Sequence, residues 1–238
     1  MQNYEHIYLT GDTHGEFTQL IDKARSIGLS NRDLLIILGD VGINYYGSIR
    51  DQIHKEILTS IPATILCIRG NHEMRPTDPK LNGIYQEIEW NDDYAYVETK
   101  YPRLIMAKDG ARYKINGQSY LIIGGAYSVD KYYRLAMHWN WFPDEQLSLE
   151  EMNEIREKIL CHGNQEDIIL AHTCPYNQRP VDKFISGVDQ SKVDNTMEYF
   201  LQEIIEQTEY NMLYCGHWHI DREGKKIHFL FQDIIRIV

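Results

Sequence analysis

Three continuous apolar runs in the first third of the chain, each closing on a polar residue, constrain its fold more than any other feature. They read HIYLTGD at 6–12, DLLIILGD at 33–40 and ATILCIRGNHE at 63–73. Between them lie segments with helical spacing. Phe17, Leu20, Ile21, Ala24 and Ile27 form one apolar stripe that Gly28 terminates, and Ile49, Ile53, Ile57 and Ile61 form a second, expected to face the core. Strands that are apolar at every position need cover on both faces, so a β-α-β-α-β unit with a parallel sheet follows.

The pattern then changes. Residues 75–103, RPTDPKLNGIYQEIEWNDDYAYVETKYPR, carry prolines and aromatics without a sustained period and read as a long excursion with one short helix near Asn82 to Ile88. Residues 103–126 hold three strand candidates with a hairpin turn at Asn116–Gln118, where the sheet is expected to turn antiparallel. Ser148 and Glu151 form a capping-box signature ahead of Met152, Ile155 and Ile159, which marks a helix. A strand ending at His172, a capped helix beginning at Asn195, a strand running into His217 and His219, and one or two closing strands complete the chain. No repeat, low-complexity tract or linker interrupts it, so residues 1–238 are read as a single domain, with 74–103 and 125–147 as excursions on the substrate side.

A net charge of −11 gives no general attraction to phosphate backbones or anionic lipid, so long nucleic acids are disfavoured as partners. The opening MQNYEHIYLT has no basic, apolar leader pattern, and no run reaches the roughly 18 to 20 apolar residues of a membrane span. The expectation is a cytoplasmic protein. Cys67, Cys161, Cys174 and Cys215 form no C-x-x-C and are read as reduced thiols, and His6, His54, His162 and His228 belong to no constellation.

Five segments place Asp, Asn or His just past an apolar strand: GDTHG with Asp12 and His14, LGDVG with Asp40, RGNHE with Asn71 and His72, LAHTCP with His172, and CGHWH with His217 and His219. Ligands of α/β sheets gather at such strand ends. Positions i and i+2 point the same way, so Asp12 and His14 can share one target. Five convergent ends indicate a metal site. Carboxylate, amide and imidazole donors without thiolate suit borderline divalent ions and argue against a closed structural zinc.

This order of motifs resembles the calcineurin-like metallophosphoesterases, whose pattern is D-x-H, G-D, G-N-H, His and G-H-x-H. The resemblance implies an α/β/β/α fold, a mixed two-sheet sandwich flanked by helices. It implies that Asp12, His14, Asp40 and His219 hold one metal ion and Asp40, Asn71, His172 and His217 a second, with Asp40 bridging. Mn²⁺ is the expected metal, with Fe²⁺, Zn²⁺, Ni²⁺ and Co²⁺ as alternatives. The implied reaction is hydrolysis of a small or peptide-borne phosphomonoester by a hydroxide between the metals, in one displacement that inverts phosphorus. His72 would be the general acid, an imidazole being able to give a proton at neutral pH. Phosphodiesters, nucleotides and dinucleoside polyphosphates are the alternative substrates. A non-catalytic scaffold is a minor one, against which stands the retention of every ligand position.

Protein serine/threonine phosphatases of this superfamily extend the second block to G-D-x-V-D-R-G. Here Ile43 and Asn44 replace its Asp and Arg, which makes protein phosphatase activity doubtful and leaves Asn44 as the candidate to orient His72. For the missing phosphate clamp, Arg134, with Lys131 nearby, and Arg69 are the candidates. Asn71 would also meet substrate. Tyr127, Tyr133, His138, Trp139 and Trp141 are candidates for the pocket wall.

Overall fold

The computed structural model describes residues 3–238; Met1 and Gln2, where the segment read for a leader begins, lie outside them. The first part of the chain forms β1 (Ile7–Thr10), α1 (Thr18–Ser26), β2 (Leu34–Ile37), α2 (Ile49–Leu58), β3 (Thr64–Cys67), β4 (Tyr85–Trp90), β5 (Asp93–Glu98) and β6 (Leu104–Ala107). There follow β7 (Arg112–Ile115), β8 (Gln118–Ile123), α3 (Lys131–Ala136), α4 (Leu149–Cys161), β9 (Gln165–Ala171), α5 (Thr196–Gln207), β10 (Glu209–Cys215), β11 (Arg222–Glu223), β12 (Ile227–Phe229) and β13 (Ile235–Arg236). The strands make two mixed sheets, ordered β13-β1-β2-β3-β6-β5-β4 and β11-β12-β10-β9-β8-β7.

The alternation of side chains explains the unbroken apolar runs. In β2, Leu34 and Ile36 join a central core with Tyr120, Ile122, Ile168 and Leu170 of the second sheet. Leu35 and Ile37 point the other way, against Leu20 and Ala24 of α1 and Leu58 of α2. On the far side, Leu121 and Ile169 meet Met152, Ile155 and Ile159 of α4 and Phe200, Leu201 and Ile204 of α5. Helices, two facing sheets and helices stack as four layers, the expected α/β/β/α class.

Several local readings differ. Residues 85–98 are an antiparallel hairpin at the sheet edge, and no helix spans 82–88. Its turn is Asn91-Asp92, both at positive φ (48° and 73°), the backbone a tight hairpin requires, and side chains less suited to it than Asn-Gly hid the signal. The predicted Asn116-Gly117 turn is present, with φ of 50° and 85°. β6 lies inside the first sheet, parallel to β3 and antiparallel to β5, whereas β7 and β8 belong to the second.

On α2 the isoleucine stripe is reversed. Ile49, Ile53 and Ile57 are 68, 48 and 44% exposed, and the buried face carries Asp51, Lys55 and Leu58. Asp51 accepts the Tyr46 and Gly47 N–H groups, and Lys55 pairs with Glu98 at 2.9 Å, so polar contacts choose the face. At α5, Asp194 rather than Asn195 caps the helix, accepting Thr196 N–H at 2.9 Å. The Ser148–Glu151 capping box of α4 is formed. Cys67, Cys174 and Cys215 are buried and Cys161 is exposed, all as free thiols. No helix among the described residues is long and apolar enough to cross a membrane.

Candidate metal centre

The carboxyl ends of β1, β2 and β3 in one sheet and of β9 and β10 in the other deliver the five motifs to one point. His14, Asp40, His217 and His219 all have positive φ (48°, 47°, 66° and 49°), a conformation that costs a non-glycine residue about 1 kcal/mol or more and clusters at functional sites. Close approach is allowed by glycine. A Cβ on Gly70 would lie 2.0 Å from Asp40 Oδ1, and one on Gly39 2.1 Å from His172 Nδ1.

The two carboxylates are held alike. Asp12 Oδ1 accepts the His217 N–H at 2.8 Å, and Asp40 Oδ1 accepts the His72 N–H at 2.8 Å. Each second oxygen turns to the centre. Asp12 Oδ2 is buried without a hydrogen-bond partner, 3.4 Å from His219 Nε2 and 3.8 Å from His14 Nε2. Asp40 Oδ2 lies 3.6 Å from His172 Nε2 and 3.9 Å from His14 Nδ1. His172 is fully buried, and its Nδ1 is 2.7 Å from the Leu38 carbonyl, so Nδ1 donates to that oxygen and Nε2 is the atom turned to the centre. Asn71 Oδ1 lies 2.9 Å from that Nε2.

An orphaned buried carboxylate oxygen beside converging imidazole nitrogens fits a divalent cation. Carboxylate and imidazole groups close enough to share an ion are Asp12 with His14 and His219, His14 with Asp40 and His72, and Asp12 with Asp40 and His172. Burial opposes charge on His172, yet the Asp40 and Asp12 carboxylates outweigh it and lift the ring to about 9, so without a cation Nε2 is protonated as well, and a bound ion would take that proton's place. His217 is pushed down to about 3 by burial and by His172, which leaves a neutral ring. Asp40 stays well below the usual carboxylate range despite its burial, through His172 and His72.

Asn71 is positioned by a relay that the sequence did not disclose. Its Nδ2 donates to Ser128 Oγ at 2.9 Å, Ser128 Oγ donates to Glu145 Oε2 at 2.5 Å, and Trp141 Nε1 donates to the same oxygen at 2.8 Å. This fixes the amide with Oδ1 toward the centre. Ser128 follows a strand and a double glycine, the one available signal; Glu145 carried none.

His72, His14 and Arg134 line both cavities beside the centre, of about 430 and 530 Å³. His72 sits below its ordinary value through burial, with Arg134 and His14 adding and Asp40 opposing. Asn44 does not orient it: Asn44 Oδ1 accepts from Tyr85 OH at 2.8 Å, and Ile43 is core. Arg134 is held by Asp130 at 2.8 Å and reaches Tyr45 OH at 3.2 Å. Arg69 is turned to structure: buried, it donates to Asp109 at 2.6 Å and to the Glu145 carbonyl at 2.9 Å. Lys131 packs 4.0 Å over the Trp141 ring. Tyr127 lines the smaller cavity, His138 and Trp139 the larger, and Tyr133 packs edge-on against Trp139. Arg179, Lys183 and Glu198, which the sequence did not single out, also line the smaller cavity.

The profile of the calcineurin-like phosphoesterases matches residues 5–221, and the chain belongs to that family, as a metal-dependent phosphoric ester hydrolase. Among solved structures it is similar to TT1561 of Thermus thermophilus, at 14% identity and TM-score 0.54 with 98% of each chain covered. It is also similar to the Phosphopantetheinyl Hydrolase (PptH) from Mycobacterium tuberculosis, at 13% identity and TM-score 0.51, with 97% of this chain and 89% of that one covered. At these identities the likeness is one of fold. No curated protein matches the chain.

Proposed function

We propose that the chain hydrolyses a small or peptide-borne phosphomonoester with two divalent ions, Mn²⁺ first among them. Asp12, His14, Asp40 and His219 would hold one ion and Asp40, Asn71, His172 and His217 the other. The observation that carries this reading is the central oxygen of Asp40, which lies between His14 and His172 while its partner oxygen is fixed by a backbone N–H. When bound, the ions supply neutralisation of the phosphoryl charge and a water acidic enough to act as nucleophile at neutral pH.

The chain's own residues do the rest. Arg134, beside His72, sets a further positive charge where phosphoryl oxygens gather, which favours a dianionic monoester. His72 gives its proton to the leaving oxygen; burial disfavours the charged ring, and a phosphate dianion beside it supplies a counter-charge that favours it. Asn71, held by Ser128, keeps its oxygen on the centre.

The shared lining of two cavities favours a second reading, a phosphodiesterase or dinucleoside polyphosphate hydrolase, because the phosphoryl site has room on both sides. Assay of p-nitrophenyl phosphate, its bis ester and dinucleoside polyphosphates, with Mn²⁺ and with chelator, separates them. Chelator-sensitive turnover with preference for the monoester is expected. Preference for the diester would replace the first reading with the second, and no turnover by Mn²⁺-loaded protein would overturn both.

A further inference from the structure

The smaller cavity extends from the metal centre to residues 179–195 and α5, and its outer part is built differently from its inner part. Phe184, Ile185, Val188 and Val193 give it apolar walls, with Phe184 stacked on Trp218 at 5.8 Å. Arg179 is fixed at its edge: it donates to Asn195 Oδ1 at 2.6 Å and to the Tyr176 carbonyl at 2.9 Å, and lies 3.5 Å over the Tyr176 ring.

Among these walls sits Glu198, on the first turn of α5 and only 4% exposed, with Arg179 and Asp194 as charged neighbours. Its Oε1 accepts from Thr173 Oγ1 at 2.7 Å. Glu198 belongs to the cavity lining, and its Oε2 is buried with no hydrogen-bond partner among the described residues. A buried carboxylate oxygen left without a donor is costly, and a ligand that brings one recovers that cost on binding. Thr173 directly follows His172, so the carboxylate is tied to the segment that enters the metal centre.

We propose that this outer cavity is a leaving-group subsite, taking an apolar chain that carries an O–H or N–H donor, which Glu198 Oε2 accepts. The inference rests on the phosphoester reading above and deepens it. The phosphoryl group occupies the inner, charged end, the hydrocarbon lies along Phe184 and Val188, and the donor reaches the carboxylate.

The test uses Mn²⁺-loaded protein and a homologous series of ω-hydroxyalkyl phosphates, each paired with its ω-fluoro counterpart, which keeps the shape and lacks the donor. At the best-fitting length the hydroxyl compound should exceed its fluoro partner about tenfold in kcat/KM. The matching non-hydrolysable phosphonates should show the same preference in calorimetric binding. Glu198→Met should bring both ratios to about one. Phe184→Ala, at a half-buried position, should raise KM for both members of a pair and keep their ratio. Equal values for every pair in a protein that turns over p-nitrophenyl phosphate overturn the subsite and leave the phosphoester reading intact. Turnover of none of these compounds overturns that reading, and the subsite with it.

Discussion

The Nε2 atoms of His14 and His219 stand 3.0 Å apart across 205 residues of sequence, with the unpartnered Asp12 Oδ2 beside them. Both histidines hold their places through left-handed backbone, so bringing these donors together costs the fold free energy. A cation bound there stabilises the folded chain by mass action, about 2.7 kcal/mol at a hundredfold excess over its Kd. Calorimetric melting should therefore move up by about 5 to 10 °C on adding Mn²⁺, an increment that Asp12→Ala should remove.

The Asn71–Ser128–Glu145 relay should govern metal affinity rather than the chemical step. Ser128→Ala leaves the Asn71 amide without its acceptor, and outer-shell losses of this kind cost about 10- to 100-fold in metal affinity. Mn²⁺ titration of activity should show a raised half-saturation and recovery of rate at high Mn²⁺. A lowered rate at saturating metal would place the relay in the chemistry instead.

Gly70 is required by contact, not by backbone freedom. The Cβ of Gly70→Ala would meet both Asp40 Oδ1 and Asp40 N, at 2.0 and 2.2 Å, and neither can retreat without breaking the bond to His72 N–H. A loss of about 3 kcal/mol in urea denaturation and of Mn²⁺ binding is expected. Gly117→Ala, where a Cβ meets nothing, should cost about 1 kcal/mol from its positive φ and leave metal binding unchanged.

The two arginines should separate cleanly. Arg69→Ala takes the nearer cation from Asp109, which keeps Arg75 at 3.7 Å and the Gly124 N–H, and leaves the buried Glu145 carbonyl without its donor, so about 2 kcal/mol of stability should disappear. Arg134→Ala breaks an ion pair with a partner 39% exposed and should cost at most about 0.5 kcal/mol, while raising KM for phosphomonoesters about tenfold.

His72→Asn should retain two ions per chain and lose about 10²- to 10⁴-fold in turnover of alkyl phosphates, whose leaving oxygen needs a proton. The loss on p-nitrophenyl phosphate, with its better leaving group, should be smaller. Equal losses on both substrates would remove His72 from the role of proton donor.

Much of this centre was legible in the chain. Apolar runs closing on Asp12, Asp40, Asn71, His172 and His217 announce strand ends, and the structure gathers all five. Local patterns fail where two faces compete. The isoleucines of α2 have the right period and the wrong direction, because periodicity names a stripe without saying which stripe finds Glu98 and the Tyr46 and Gly47 N–H groups. Arg69 and Arg134 are both candidates for a phosphate clamp in the sequence, and only the fold shows Arg69 buried against Asp109 and Arg134 lining the cavity beside Asp130.

By itself the sequence determined the α/β class and the types of most long elements, and it offered the donor residues proposed for a metal, since these follow from period and from donor chemistry carried by each short segment. The tertiary structure alone decided that β6 joins one sheet and β7 the other, that Ser128 and Glu145 stand behind Asn71, and that Glu198 faces a cavity with one oxygen unpartnered. Those outcomes depend on contacts between residues distant along the chain, and the burial that gives them their energy exists only after the sheets have closed on each other.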